Sequence, residues 1–358
     1  MEETQELEIY ELLKVAAAKK ASDVFIKANS PPAMRISGRI HMTDAPALSE
    51  DDCRNLAYSI MSHEQIGRFE HRHELDLAFE VEGVCRIRCN IYQQRGSMGM
   101  VLRLIPLKIF SLEQLGMPPV LSELTKSRQG LILVTGPTGS GKTTTVAAML
   151  DLINSTRRTN IITCEDPIEF MHPDKMSIVS QREIGLDTDS FADALKYMMR
   201  QNPDVLLIGE MRDIETMSVG LAAAETGHLV FSTLHTASAA ETLDRIINMY
   251  PPQDRDMVCL RLAGSLRGVI SQKLPPRVDG TGRVGAVEIM VVTPTVSKLI
   301  EEGRASQLYG AIAEGNFWGM QTMNQCLIKY VRAGLVSEEE ALANAGNVTE
   351  MKQMLRRP

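Results

Sequence analysis

The sequence predicts an α/β protein in which a small α+β domain precedes a larger domain built on a parallel sheet. Three observations predict it. Short strands punctuated by turn residues fill positions 23–106. Continuous apolar runs alternate with helical stretches from about residue 119. The octapeptide GPTGSGKT, Gly136 to Thr143, stands between one such run and a helix.

In the first domain, residues 5–20 space Leu7, Leu12, Leu13 and Ala16 at helical intervals and end in Lys19 and Lys20. That pattern is an amphipathic helix with cations at its C-terminal end. Strands are predicted at DVFIK (23–27), AMRISG (33–38), LDLAFEV (75–81), VCRIRCNIY (84–92) and MVLRLIP (100–106). Pro31, Pro32, Gly38, Gly83 and Gly96 divide them. Residues 1–106 therefore read as an α+β domain with an antiparallel sheet. In its fourth strand Cys85, Ile87, Cys89 and Ile91 share one face, and Arg86, Arg88, Asn90 and Tyr92 the other. If the last two strands pair, Arg103 joins Arg86 and Arg88. This arginine face is either a solvated surface or a set of arginine fingers for a bound nucleotide.

Residues 107–118, LKIFSLEQLGMP, read as a linker, and 119–358 as the second domain. The runs LILVT (131–135), NIIT (160–163), DVLLIG (204–209) and LVFST (229–233), separated by helical stretches, mean a parallel sheet covered on both faces. From about residue 237 the chain reads as mostly helical, with one more strand at VGAVEIMVV (284–292).

Composition narrows the function classes. The 358 residues are 44% hydrophobic and 23% charged, ordinary soluble usage. A net charge of −7 and a pI near 5.6 count against nucleic acid as a partner. So does the lack of interleaved aromatic and basic residues, which disfavours a strand translocase. The six cysteines form no CxxC pair, so a four-cysteine zinc site is not expected. The acidic N-terminus does not read as a signal peptide, and no run nears 18 apolar residues, so a cytosolic protein is expected.

GPTGSGKT fits the phosphate-loop pattern without departure. Its glycines let the stretch from Gly136 and Pro137 through Ser140 and Gly141 to Thr144 curl its backbone N–H groups around phosphate oxygens, Pro137 shaping the turn without an N–H of its own. Thr138 and Gly139 complete the loop. Lys142 would reach the β- and γ-phosphates, and the Thr143 hydroxyl would ligate Mg²⁺. DVLLIGEMRD (204–213) delivers Glu210 at a strand's carboxyl edge, as a Walker-B acid bound to the metal, directly or through water; Gly209 before it is atypical. CEDPIEF (164–170) places Glu165, Asp166 and Glu169 at the same edge. Hydrolysis needs an oriented water as well as a neutralised phosphate, so Glu169 is read as the water-positioning base. Glu165 and Asp166 are read as organisers of the metal's water shell. His235, after the strand LVFST, suits a γ-phosphate sensor; His228, before it, makes either a structural hydrogen bond or a functional one.

Taken in order, ASDVFI (21–26), RIRCN, VLRLIP, GPTGSGKT, TCEDPIEF, LLIGEMRD and TGHLVFSTLHTASAAETLDRI resemble the PilT-type ATPases of type IV pilus machines, within the type II/IV secretion ATPase superfamily. The resemblance covers essentially the whole chain. It implies a PAS-like N-terminal domain followed by a RecA-like P-loop domain with a helical C-terminal part. It implies ATP and Mg as cofactors, and a homo-hexameric ring docked on an inner-membrane platform protein, hence a cytoplasmic, peripheral location. It further implies that hydrolysis drives pilin disassembly, pilus retraction and twitching motility. By the same resemblance Glu169 is the catalytic glutamate, Glu210 the Walker-B residue, and His228 with His235 the histidine box. Arg86, Arg88 and Arg103 are then candidates for reaching nucleotide at a domain or subunit boundary. Length and the missing tetracysteine motif resemble the retraction branch more than the extension or secretion branch. Retraction members commonly carry AIRNLIRE, where this chain has TPTVSKLIEE (293–302), with Ser297, Lys298 and Glu301. An accessory, PilU-like ATPase working with a paralogous pilus ATPase, or a pilus-extension or type II secretion ATPase, therefore stands as the alternative.

Overall fold

The structure, a computed structural model, describes residues 8–36, 38–106 and 108–356. The chain divides into two units, Met1–Lys108 and Ile109–Pro358.

The first unit contains α1 (Ile9–Ala18), β1 (Ala21–Lys27), β2 (Ala33–Ile36), β3 (Arg39–Met42), α2 (Glu50–Tyr58), α3 (His63–Arg72), β4 (Glu74–Val81), β5 (Cys85–Gln94) and β6 (Ser97–Pro106). Leu7 of the expected first helix lies outside the described residues; Leu12, Leu13 and Ala16 are buried as the periodicity requires. All neighbours pair antiparallel in the order β3-β2-β1-β6-β5-β4. Ile87, Cys89, Ile91, Met100 and Leu102 line one face and pack with Leu13, Cys53 and Phe69 of the three helices. Capping boxes at Ser49 and Ser62 set the starts of α2 and α3 by satisfying orphan N–H groups. The expected strand 33–38 is instead half of a hairpin, with β3 as its return. β3 is harder to read from sequence because its Ile40/Met42 alternation spans only four residues, and all four are exposed, so no buried face marks it.

The second unit contains α4 (Val120–Leu124), β7 (Gly130–Thr135), α5 (Lys142–Thr156), β8 (Asn160–Glu165), β9 (Ile178–Glu183), α6 (Phe191–Met198), β10 (Val205–Glu210), α7 (Ile214–Glu225), β11 (Leu229–Leu234), α8 (Ala239–Met249), α9 (Arg255–Ser265), β12 (Leu266–Lys273), β13 (Ala286–Val291), α10 (Pro294–Glu301), α11 (Leu308–Glu314), α12 (Met323–Arg332), α13 (Glu338–Asn344) and α14 (Val348–Arg356). Residues 109–118, expected within a linker, belong to this unit: Leu112 and Met117 are buried with α4 and α5. Leu107 lies outside the described residues.

The sheet order is β13-β12-β7-β11-β10-β8-β9, parallel except for the β12–β13 pair. Alternation along β7 divides the core: Leu131 and Leu133 face α6 to α11, while Ile132 and Val134 face α4 and α5. Helices on both faces are what continuous apolar strands demand. Two strands went unread in the sequence. β9 is a polar edge strand, and β12 ends in Ser271, Gln272 and Lys273 within a stretch that reads as helical. α12 to α14 gather on Ala286 as a separate helical cluster.

Phe231, fully buried in the middle of β11, is flanked by β7 and β10. Phe231→Ala removes its contacts and leaves a cavity, so the variant should lose about 3–5 kcal/mol of stability. Urea denaturation followed by far-UV circular dichroism measures that loss.

Candidate functional site

β7 delivers the chain to its carboxyl edge at Thr135, and the loop that follows turns back only because three glycines adopt positive φ: 143° at Gly136, 78° at Gly139 and 87° at Gly141. At Gly136 a Cβ would lie 2.3 Å from the Gln272 carbonyl oxygen, so only glycine fits beneath β12. Gln272 accepts a hydrogen bond from Thr145 Oγ1 at 2.7 Å, tying α5 to that strand. α5 starts without a side-chain cap, so its first N–H groups and positive dipole end are left for an anion. The Ser140 hydroxyl, buried in the same loop, has no partner. Lys142 donates to the carbonyls of Gly136 at 2.8 Å and Pro137 at 3.1 Å. Burial holds its ammonium below the usual lysine range, against the opposing pull of Glu210 and Glu169. Uncapped amides, an orphan hydroxyl and a half-desolvated ammonium together fit a phosphate chain.

Around this loop a cleft of about 330 Å³ is walled by Lys142, Thr143, Glu165, Asp166, Glu169, Glu210, Arg212 and His235, among others. β8, β10 and β11 supply the last six because parallel strands end on one edge. Gly209 explains the atypical residue before Glu210: a Cβ there would be 3.2 Å from the Cys164 oxygen and the Glu165 Cα of neighbouring β8. Glu210 accepts from Arg212 at 2.7 Å through one oxygen and faces His235 Nε2 at 3.3 Å through the other. Burial pushes its carboxyl up, but Arg212 and His235 together outweigh that and hold it below the usual glutamate range.

Glu165 is buried, with Oε1 accepting from Thr163 Oγ1 at 2.7 Å and Gln181 Nε2 at 3.2 Å. Burial outweighs both hydrogen bonds and pushes it up to about 7. Asp166 and Glu169 are exposed at the rim, and the Asp166–Pro167 peptide is cis. His228 is not in the cleft. It precedes β11 at the sheet's other edge, where Nδ1 lies 3.0 Å from the Ala223 carbonyl oxygen. The arginine face belongs to the first unit. Arg88 and Arg103 are cross-strand partners, with Arg86 on the same face two residues away. Arg103 Nε pairs with buried Asp23 at 3.1 Å, and Arg35 shares that carboxylate at 3.3 Å.

Among the described residues no cluster of three or more His, Cys, Asp or Glu side chains is gathered to hold a metal ion. Thr143 and Glu210 offer one hydroxyl and one carboxylate, a set that suits a hard cation whose shell is completed by phosphate oxygens and water. Arg212 was missed in the sequence although it lies two residues beyond Glu210 in the same motif. Gln181 and Gln272 carried no signal, because their strands were unread.

Glu165 generates a pH test. Its folded value, about 7, exceeds the ordinary 4.5, so its contribution favours the fold at low pH and is lost as pH rises through 7. Between pH 5 and 8 the protein should lose on the order of 3 kcal/mol relative to Glu165→Gln. Denaturation midpoints of both proteins at the two pH values measure the difference.

The family described as type II/IV secretion system protein matches residues 3–281. The type IV pilus retraction ATPase PilT of Pseudomonas aeruginosa is 46% identical over 95% of this chain and 98% of its own. The type IV pilus ATPase PilU of the same organism is 38% identical over 98% and 92%. Among solved structures, the crystal structure of the pilus retraction motor PilT with bound ADP superposes with a TM-score of 0.91 at 45% identity, covering 97% of this chain and all of that one. The ATPase DotB of Legionella pneumophila follows at 0.81 and 28%, covering 96% and 97%. The fold is thus α/β, a PAS-like N-terminal domain followed by a RecA-like P-loop domain with C-terminal helices, and the chain belongs to the type II/IV secretion system protein family.

Proposed function

We propose that this chain is an ATP-hydrolysing motor that powers type IV pilus retraction, working as a homo-hexameric ring on an inner-membrane platform protein. The observation that carries the chemistry is the single cleft that gathers Lys142, Thr143, Glu169, Glu210 and His235. The 46% identity to a retraction ATPase over 95% of the chain supports the task.

In this reading Lys142 exchanges the carbonyls of Gly136 and Pro137 for β- and γ-phosphate oxygens. The backbone from Gly136 to Thr144 wraps the phosphates, and the cleft beside Gly141 and Thr144, walled by Leu115, Met117, Leu274 and Tyr330, takes the nucleoside. Magnesium, held by the Thr143 hydroxyl and through water by Glu210, would draw charge off the phosphates. Glu169 orients a water for in-line attack on the γ-phosphorus and accepts its proton as the bond to the ADP oxygen breaks. His235, sharing Glu210 with Arg212, would register the γ-phosphate through that hydrogen-bond pair. Glu165, deeper and already hydrogen-bonded, would support the wall, with Asp166 nearer the metal's waters. Arg86, Arg88 and Arg103 remain candidates for contacting nucleotide across a boundary; Arg103 would first release Asp23. His228 would act structurally through Ala223 or at a neighbouring subunit.

A second reading, an accessory ATPase beside a paralogous motor, is favoured by the helix α10, where Lys298 sits between Glu301 at 3.3 Å and Glu302 at 3.6 Å and leaves no basic stripe. Deleting the gene and counting surface pili, with twitching motility, separates these. Excess pili without motility is the outcome expected of the retraction motor, near-normal numbers with weak motility that of an accessory, and bald cells that of an extension ATPase. In the purified protein, Lys142→Ala should abolish binding of a fluorescent ATP analogue. Glu169→Ala should keep binding while turnover falls by about 10²-fold or more.

A further inference from the structure

Gln181 lies on β9, one strand beyond the cleft, and the sequence reading assigned it nothing. Its amide makes three hydrogen bonds, using both N–H groups and the oxygen. Nε2 donates to the Phe170 carbonyl at 2.8 Å and to Glu165 Oε1 at 3.2 Å, and Oε1 accepts from the His172 N–H at 2.8 Å. Glu183, two residues along the same strand face, accepts from the Ile168 N–H at 3.1 Å. The segment carrying Glu169 is therefore hung from β9 on both sides, at 168 before it and at 170 and 172 after it. Glu169 itself is exposed, so its placement rests on that backbone.

We propose that Gln181 is a positioning residue for hydrolysis, holding the Glu169 loop against the sheet edge so that the carboxylate meets the attacking water. Only a side-chain amide of this length serves. A carboxylate would set an oxygen against the Phe170 carbonyl and a second charge beside buried Glu165; leucine removes all three bonds. The phosphates are gripped by the Gly136–Thr144 loop and α5, which Gln181 does not touch, so its loss acts on the chemical step and not on nucleotide binding. A shift of about 1 Å in a reacting group can cost about 10²-fold in rate.

The inference rests on the reading of Glu169 as the water-orienting base, and a double-mutant cycle in the full-length protein separates the two. MgATP turnover and binding of a fluorescent ATP analogue are measured for Gln181→Leu, Glu169→Ala and the pair. The expected result is a kcat about 10²-fold lower for Gln181→Leu with binding unchanged, and no further fall when it is added to Glu169→Ala. Normal kcat in Gln181→Leu, equal losses in both backgrounds, or a loss confined to KM overturns the positioning role. Unchanged turnover in Glu169→Ala overturns the base reading, and with it this one, whatever Gln181→Leu does. Should Gln181→Leu fail to fold, Gln181→Glu, which keeps the side chain's size, enters the same cycle with the same expected and overturning outcomes.

Discussion

Parallel pairing is the constraint on which the site depends. β7, β11, β10 and β8 run the same way in adjacent positions. Every one of them therefore discharges its polar end onto one edge, and segments separated by up to a hundred residues of chain meet there. An antiparallel sheet would have sent half of these ends to the opposite side. Ligands in open α/β sheets lie outside the carboxyl ends for this reason. The position of His228 shows the same rule in reverse: one strand length before His235, it falls on the far edge.

Once the ends are gathered, burial sorts the carboxylates. Glu165, Glu169 and Glu210 are the same residue type in one cleft, yet their surroundings differ. Glu210 is held below the usual glutamate range by Arg212 and His235; Glu165 is enclosed and pushed up to about 7 by burial. Glu169 projects from a loop whose backbone is pinned. Desolvation, paired charge and hydrogen bonding thus divide labour that composition alone leaves undivided. The crowding of acids in CEDPIEF is tolerable because they do not share one environment.

Support for the cleft comes from strands that contribute no residue to its chemistry. β12 closes over Gly136 and Gly141 through Gln272, and β9 holds the acidic loop through Gln181 and Glu183. Both lie beside strands that end at the cleft, and both present amides or acids toward its loops. A buried polar group is retained only where its partners are supplied, and here the partners lie in the two loops that wall the cleft.

The parallel character of the second sheet, the glycine-rich loop after β7 and the edge on which Glu169, Glu210 and His235 lie are legible in the residues alone. These follow from local chemistry: glycine's freedom at positive φ, the period of apolar residues, and the rule that a strand's end precedes its loop. The fold is needed to find β9 and β12, the hydrogen bonds of Gln181 to the acidic loop and of Gln272 to α5, the pairing of Arg212 with Glu210 and that of Arg103 with Asp23. Each of these depends on which distant strand lies alongside. A polar strand such as IVSQRE has no hydrophobic period to announce it, RIHM is too short for its alternation to stand out, and a glutamine's value comes from the carbonyl and N–H it meets across a sheet, which no neighbour in the chain records.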